Sequence, residues 1–422
     1  MRAIPPSLRN AEESELDIID CNGVRLLFLP NQSYLCNIKI MTNAGSASEN
    51  PDEHGMAHIL EHMFFKGSSK YPQGTSISRA ANDIGGKLNA YTTYDHTAYY
   101  ITVLKESFHK GFDILADMYL HPLFSADEFA KELKPILSEF REREDDPDHY
   151  LGERAMESFF GPAYHPVIGS MESIQSATVE GMHAFKKRYY GGSNAFIVVT
   201  GNLDRSQLIN TVQSYFAQRV TVEAPFHPEV SFQSGSLALQ KPGIQEAYYH
   251  LFFPALSPDD PERYKQDLMN YLLGGNESAL LFESIREEKG MSCYGVYSWL
   301  MRNDPFSCLG ISCGIAPNEL DELHREVMVQ IDRIRQSKLQ TGQLERAKAS
   351  LRTSIAARCE TSGGLSSLVA VPAMRGHAMN PVQEALQALE EISLDDVLDQ
   401  AQKTFDAPMF QAVMTPEQSS NS

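Results

Sequence analysis

The chain has 422 residues, 42% of them hydrophobic, and carries 36 Lys+Arg against 55 Asp+Glu, a formal charge of −19. That length holds roughly two to four domains of about 100–200 residues each, and the apolar fraction fills real cores, which excludes a disordered chain. The negative charge, with no Lys/Arg cluster against it, excludes nucleic acid and anionic membrane surfaces as partners. It leaves basic peptides as one reading and a merely soluble surface as the other.

In chain order, Gly23–Leu29 and Asn37–Thr42 read as strands, and an apolar helix follows from about Gly55. Lys87–Val103 reads as a hairpin turning near Tyr94-Asp95-His96, a long helical stretch runs to about Ser158, and a strand at Ala195–Thr200 closes the first half. Between Val220 and Gly243 the pattern loses its period and gathers Pro225, Pro228, Ser231, Ser234, Gly235 and Pro242, as a linker does. The order then repeats: a strand at Tyr248–Phe253, a helix from Pro261 to Leu273, a hairpin from Met291 to Ile315 turning at Asn303-Asp304-Pro305, and helices from Pro317 on. A local echo pairs Ala126–Lys134 with Thr341–Ala349. The expectation is an α+β fold class: residues 1–222 as one half, 223–243 as linker and 244–422 as a second, homologous half. The six cysteines form no C-x-x-C pair and read as reduced core residues. With no signal-peptide core or membrane-length apolar run, a cytoplasmic protein is expected.

Chemistry concentrates in His58-Ile59-Leu60-Glu61-His62. Helix residues four apart share a face, so His58 and His62 can address one metal ion, with Glu61 beside them to take a proton from water. A surface helix with two solvated histidines has the same spacing. Zinc held by two histidines needs a third protein ligand, and the helix-like segment Glu128–Arg143 carries Glu132 and Glu139 seven apart, on one face. Glu139 is assigned as the ligand and Glu132 as the carboxylate that orients a ligating histidine through its other nitrogen. His54, His96 and His149 read as non-ligands, the last two as surface groups. The acids that follow Glu139 up to Asp148 read as a solvated face, and Trp299 as sheet packing.

The stretch Gly55-Met56-Ala57-His58-Ile59-Leu60-Glu61-His62-Met63-Phe64-Phe65-Lys66-Gly67 resembles the signature of the inverted-zincin peptidases typified by pitrilysin, insulin-degrading enzyme and the β subunit of mitochondrial processing peptidase. Gly85-Gly86-Lys87-Leu88-Asn89-Ala90-Tyr91-Thr92 resembles their edge strand, Glu139 stands 77 residues after His62, where they place the third ligand, and Val198–Asp204 resembles the end of their first domain. The resemblance covers about residues 15 to 415. It implies a clamshell of two homologous α/β-sandwich halves around a peptide chamber, with one Zn2+ per chain held by the first half. Within the sequence, Ala347 and Ser354 stand opposite Glu132 and Glu139 when the echo is aligned, and no second H-x-x-E-H occurs, so the second half cannot hold the same metal.

The resemblance also implies that the second half supplies an Arg and a Tyr to hold substrate. Arg286–Ser298 matches, but its Arg-to-Tyr interval is eight residues where the family has seven. Strict counting lands on Cys293; the Y-x-V-x-S ending selects Tyr294, which requires a bulge between Gly290 and Tyr294. The expected function is a zinc-dependent endopeptidase for short, unfolded or extended peptides, basic ones among them, which add as a strand beside Asn89 and Ala90. A homodimer is expected by analogy. One subunit of a heterodimeric peptidase, or a non-catalytic scaffold relative, is the alternative.

Overall fold

The computed structural model describes residues 18–218, 220–336, 339, 341–376 and 380–417. Strands β1 (Ile18–Cys21), β2 (Val24–Pro30), β3 (Leu35–Thr42), β4 (Lys87–Thr92), β5 (Thr97–Leu104) and β6 (Ala195–Gly201) form one sheet in the order β1-β2-β6-β3-β5-β4. Only β2 and β6 run parallel. β3 and β6 are central and buried on both faces, which is why they read as continuous apolar runs. On one face, Cys36, Ile38 and Ile40 join Ile197, Val199 and Ile101 in a core that includes helices α1 (Met56–Phe64) and α2 (Phe108–Leu120). Helix α3 (Ala126–Asp145) follows, and then α4 (Pro147–Phe160), so the single long helical stretch expected after the hairpin is three helices.

The second sheet is β7 (Gly235–Lys241), β8 (Ala247–Pro254), β9 (Val296–Arg302), β10 (Ser307–Ile315) and β11 (Phe410–Pro416), ordered β7-β11-β8-β10-β9. Its one parallel pair is β7 with β11. Setting β7, β11, β8, β10 and β9 against β2, β6, β3, β5 and β4 gives the same order and the same directions, so the repeat read in the sequence is present in the topology. The fold class is the α+β class expected. β7 lies inside the stretch 223–243 read as linker. Its alternation of half-buried Leu237, Leu239 and Lys241 with exposed neighbours is that of an edge strand, and flanking Gly, Ser and Pro masked it. The expected hairpin at Met291 begins as a strand only at Val296.

The packing units are not contiguous halves of the chain. Residues up to Phe140, His165–Pro228 and Ser354–Glu384 form one unit; Arg141–Tyr164, Glu229–Thr353 and the residues from Ala385 on form the other. The cause is that each sheet has a second face to cover. In the first unit, helix α5 (Ser362–Met374) lies against β3 and β6. There Thr200 Oγ1 donates to Ser362 O at 2.8 Å, Ser362 Oγ donates to Leu35 O at 2.8 Å, and buried Lys39 reaches Ser367 Oγ at 3.5 Å. In the second unit, α4 lies against β7, β8 and β11, with Phe159 stacked on Phe252 and Asp148 bonded to buried His250 at 2.9 Å. A division at 222/244 therefore describes the repeat in sequence, while the packed bodies exchange one helical segment each.

Ile40 sits in the middle of β3, fully buried, with Ile197 and Tyr99 as its cross-strand partners. Replacing it with Ala removes apolar groups that nothing can move in to replace, and urea unfolding should record a loss of about 2–5 kcal/mol. A loss below about 0.5 kcal/mol, the range of a surface change, would show that this strand is not in the core.

Candidate metal centre

The nine residues of α1 present Met56, Ala57, Ile59, Leu60, Met63 and Phe64 to the core and leave Glu61 and His62 half-buried. The helix begins at Gly55, whose φ of +90° suits glycine and whose Cβ, if it had one, would lie 2.5 Å from Ile168 O. Glu49 caps it from outside: its two carboxylate oxygens accept the N–H groups of Gly55 and Ala57, both at 2.7 Å. A carboxylate there meets the positive end of the helix dipole. Burial nonetheless pushes the Glu49 pKa well above the usual range, with the two backbone N–H groups pulling against it. At the other end Phe64 packs among Tyr99, Tyr119, Phe124 and Tyr190. The helix is thus fixed at both termini, and the direction of its polar face follows.

That face carries the histidines. His58 Nε2 and His62 Nε2 each lie 3.5 Å from Glu139 Oε2, and the three donors fall within 4.8 Å of one another, the one such group among the described residues. Donors about 2.0–2.1 Å from a tetrahedral zinc ion are separated by about 3.4 Å, so the spacing suits that ion, with a fourth position left over. The two imidazoles meet edge to face at 4.7 Å, each turning one nitrogen inward. His62 Nδ1 lies 2.9 Å from Glu132 Oε1, and since a carboxylate only accepts, Nδ1 carries a proton, which leaves Nε2 as the nitrogen that faces the centre. The other Glu132 oxygen is 2.5 Å from Lys66 Nζ. Burial works against a charged His62, but hydrogen bonds from Glu132 and Glu139 outweigh it and hold the pKa up at about 9. Burial likewise opposes the Glu132 charge, and the His62 and Lys66 contacts overcome it and lower the pKa. Both carboxylates expected from the sequence are therefore in place on α3, Glu139 at the centre and Glu132 behind His62.

Glu61 is held by a group that sequence reading did not single out. Thr92 Oγ1, at the end of β4, donates to Glu61 Oε2 at 2.6 Å. β4 is an edge strand, and its ladder parity can be read from the turn. Thr93 N donates to His96 O at 2.9 Å, which makes 93/96 a bonded pair. Bonded pairs alternate in an antiparallel ladder, so Tyr91/Ala98 and Asn89/Tyr100 are bonded as well, and the backbone polar groups of Leu88, Ala90 and Thr92 face the open edge. The Ala90 N–H is taken by Asn89 Oδ1 at 2.9 Å. The predicted pair Asn89 and Ala90 therefore stands on the free edge next to the strand end that touches Glu61.

In the second unit, Arg286 and Tyr294 are brought together. The Arg286 guanidinium donates to Tyr294 O at 2.5 Å and lies 5.1 Å from the Phe282 ring and 5.6 Å from the Tyr294 ring. Tyr294 is 88% exposed, whereas Cys293 is buried. The expected strand bulge is absent. Arg286 sits in a π-helical turn, Glu283–Glu288, marked by Lys289 N donating to Ser284 O. The loop that follows contains a tight turn, Cys293 N to Met291 O at 2.8 Å. His54 stacks on His165 at 3.7 Å and is outside the metal group. His96, expected at the surface, is buried against Asp95. His149 is half-buried, with Glu153 at 3.8 Å. The acidic run is exposed at Glu142, Asp145, Asp146 and Asp148, as expected, with Asp148 also paired with His250 and Glu144 with Arg154. Trp299 packs over Gly310 and edge-on to Phe252, as sheet packing requires. Lys66 and Thr92 are the two contacts missed, although Lys66 lies one helical turn beyond His62 and Thr92 ends the edge-strand motif.

The matches to known proteins agree with this geometry. The family model described as "Insulinase (Peptidase family M16)" matches residues 29–165, and the one described as "Peptidase M16 inactive domain" matches residues 176–351. An uncharacterized zinc protease of Rickettsia felis is 28% identical over 400 residues, covering 94% of this chain and 96% of that one. One from Bacillus subtilis is 27% identical over 399 residues, covering 94% and 97%. Among solved structures, a protease from Helicobacter pylori superposes with a TM-score of 0.88 at 21% identity, covering 94% of this chain and 98% of that one, which shows the shared fold. In the described residues of this chain, the donor set lies wholly within the segment that matches the insulinase model. The chain is a homologue of the M16 zinc proteases, matching the insulinase model over residues 29–165 and the M16 inactive-domain model over residues 176–351.

Proposed function

We propose that this chain is a zinc-dependent endopeptidase that cleaves short, unfolded or extended peptides, binding one zinc ion through His58, His62 and Glu139. The observation that carries the proposal is the convergence of those three donors beside a carboxylate, Glu61, that is held by Thr92 at the end of an open strand edge. Zinc, when bound, supplies Lewis acidity that polarises the scissile carbonyl and makes water a stronger acid. Glu61 takes the proton of the attacking water and passes it to the leaving amine, with its carboxylate aimed by the Thr92 hydroxyl. Glu132 keeps His62 in the tautomer that presents Nε2, and Lys66 keeps Glu132 ionised.

An extended substrate adds to the outward groups of Leu88, Ala90 and Thr92, displacing Asn89 Oδ1 from the Ala90 N–H. Backbone pairing of this kind gives affinity with little side-chain preference. Arg286 and exposed Tyr294 are assigned to the substrate carbonyl, where a guanidinium and a phenol donate to a developing oxyanion. The charge of −19 favours basic peptides. A homodimer is the expected assembly. Activity that appears only when a second protein is added would replace this reading with that of one subunit of a heterodimer.

Glu61→Gln preserves shape and removes the base. The variant should keep zinc and lose about 10²–10⁴-fold in kcat on a fluorogenic peptide mixture. Normal turnover with zinc bound would refute the assignment. Glu132→Ala should weaken zinc binding by about 10–100-fold in competition with a chromogenic chelator, because His62 loses the partner that orients it. An unchanged zinc affinity would show that Glu132 does not act on the centre.

A further inference from the structure

The turn that joins β4 to β5 holds a charge that the proposed chemistry does not use. The Asp95 side chain is 3% exposed, and burying a carboxylate at that depth requires partners on every side. It has three. His96 Nδ1 donates to Oδ1 at 2.6 Å, Thr93 Oγ1 donates to the same oxygen at 2.8 Å, and the Arg375 guanidinium donates to Oδ2. Burial opposes the charge, but the His96 hydrogen bond and the charges of His96 and Arg375 hold the Asp95 carboxyl far below the usual carboxylate range. Arg375 follows α5 and stands 280 residues further along the chain, in the segment that packs into the first unit from the half without metal ligands.

This turn braces the site from two directions. One residue before it, Thr92 donates to Glu61. On its other side, Thr93 O accepts Ser46 N at 3.1 Å and Tyr94 O accepts Ala47 N at 2.8 Å. The chain passes so close there that a Cβ on Gly45 would lie 2.2 Å from Thr93 O. That same strand-to-helix connection ends in Glu49, which caps α1 at Gly55 and Ala57.

We infer that Arg375 is a positioning residue for Glu61: by pairing with Asp95 it fixes the Thr93–His96 turn, and through the turn it fixes the Thr92 hydroxyl that aims the base. The inference rests on the peptidase reading for Glu61. Its physical basis is that removing Arg375 leaves Asp95 Oδ2 without its cation while His96 and Thr93 hold only Oδ1, so the turn opens to solvate that oxygen and Thr92 moves with it. A displacement of about 1 Å at a reacting group is enough to cost on the order of 100-fold in rate.

The test uses the full zinc-loaded chain and the variants Arg375→Met, Thr93→Val, Thr92→Val and the double variant Arg375→Met/Thr92→Val. The readouts are kcat and KM on a fluorogenic peptide, zinc per chain, and amide hydrogen exchange across residues 92–97 in the metal-free protein. Arg375→Met and Thr93→Val should each lower kcat by about 10–100-fold with KM changed less than about twofold and zinc retained. Exchange across the turn should accelerate. Because the effect passes through Thr92, adding Arg375→Met to Thr92→Val should cost less than about twofold more, where independent roles would multiply. Wild-type kcat in both single variants, full multiplication in the double variant, or unchanged exchange would each overturn the inference. Should Arg375→Met not fold, the near-isosteric Thr93→Val decides by the same criteria. An active wild type is the control on the function itself: absence of zinc-dependent cleavage sinks the peptidase reading, and the exchange result still decides whether Arg375 braces the turn.

Discussion

Two carboxylates and two imidazoles share a half-buried space a few ångströms across, and most of what surrounds them answers the cost of putting them there. Glu132 and Glu139 would repel each other and lose hydration, so each is paired: Glu132 with His62 and Lys66, Glu139 with both histidines. A cation at the centre would displace a proton from His62 and take over its charge. The need to hold these groups explains why α1, only nine residues long, is fastened by a buried carboxylate at one end and an aromatic cluster at the other. A helix of that length has little stability of its own. Its rigidity is borrowed from the core, and the direction of His58, Glu61 and His62 is borrowed with it.

The two sheets repeat one topology, yet they do different work with it. In each, the edge strand is the first strand of a hairpin, β4 of β4-β5 in one and β9 of β9-β10 in the other. The first edge leads into Thr92 and the turn that is locked onto Asp95. The second begins after a loop that places Tyr294 in solvent over Arg286. Duplication supplied two similar scaffolds, and the ligand positions Glu132 and Glu139 have Ala347 and Ser354 as their counterparts in the sequence echo. The match of the second segment to a domain described as inactive accords with that loss.

The grouping of the candidate metal ligands was readable from the sequence because its logic is local. His58 and His62 lie one helical turn apart, and Glu132 and Glu139 lie two turns apart, so helix periodicity alone sets each pair facing one way. Strands β2, β3, β5, β6, β8 and β10 were legible for the same reason, through apolar runs bounded by turns. What escaped depends on contacts between distant segments. His96 looks like a turn residue in a polar hairpin tip, and nothing nearby announces that its neighbour Asp95 will be paired with Arg375. β7 lies among glycine, serine and proline, and its half-exposed alternation is weak because an edge strand has only one neighbour to satisfy. The eight-residue interval between Arg286 and Tyr294 was visible, but the local pattern did not announce the π-helical turn at Glu283–Glu288 or the tight turn at Met291–Cys293 that the interval contains.

The exchanged helical segments bear on how such a chain can be divided. The polar face of the first sheet, with Lys39, Asn37 and Thr200 buried beneath α5, is covered by residues encoded more than 120 positions after β7 begins. A fragment cut at the linker would keep every metal ligand and lose the cover of its own sheet, along with the partner of Asp95. The half that carries the candidate metal ligands is therefore not an autonomous module in the genetic sense. Splitting this protein into two chains would require those chains to find each other before either sheet could be sealed, and that makes obligate pairing the natural state of any split form of the fold.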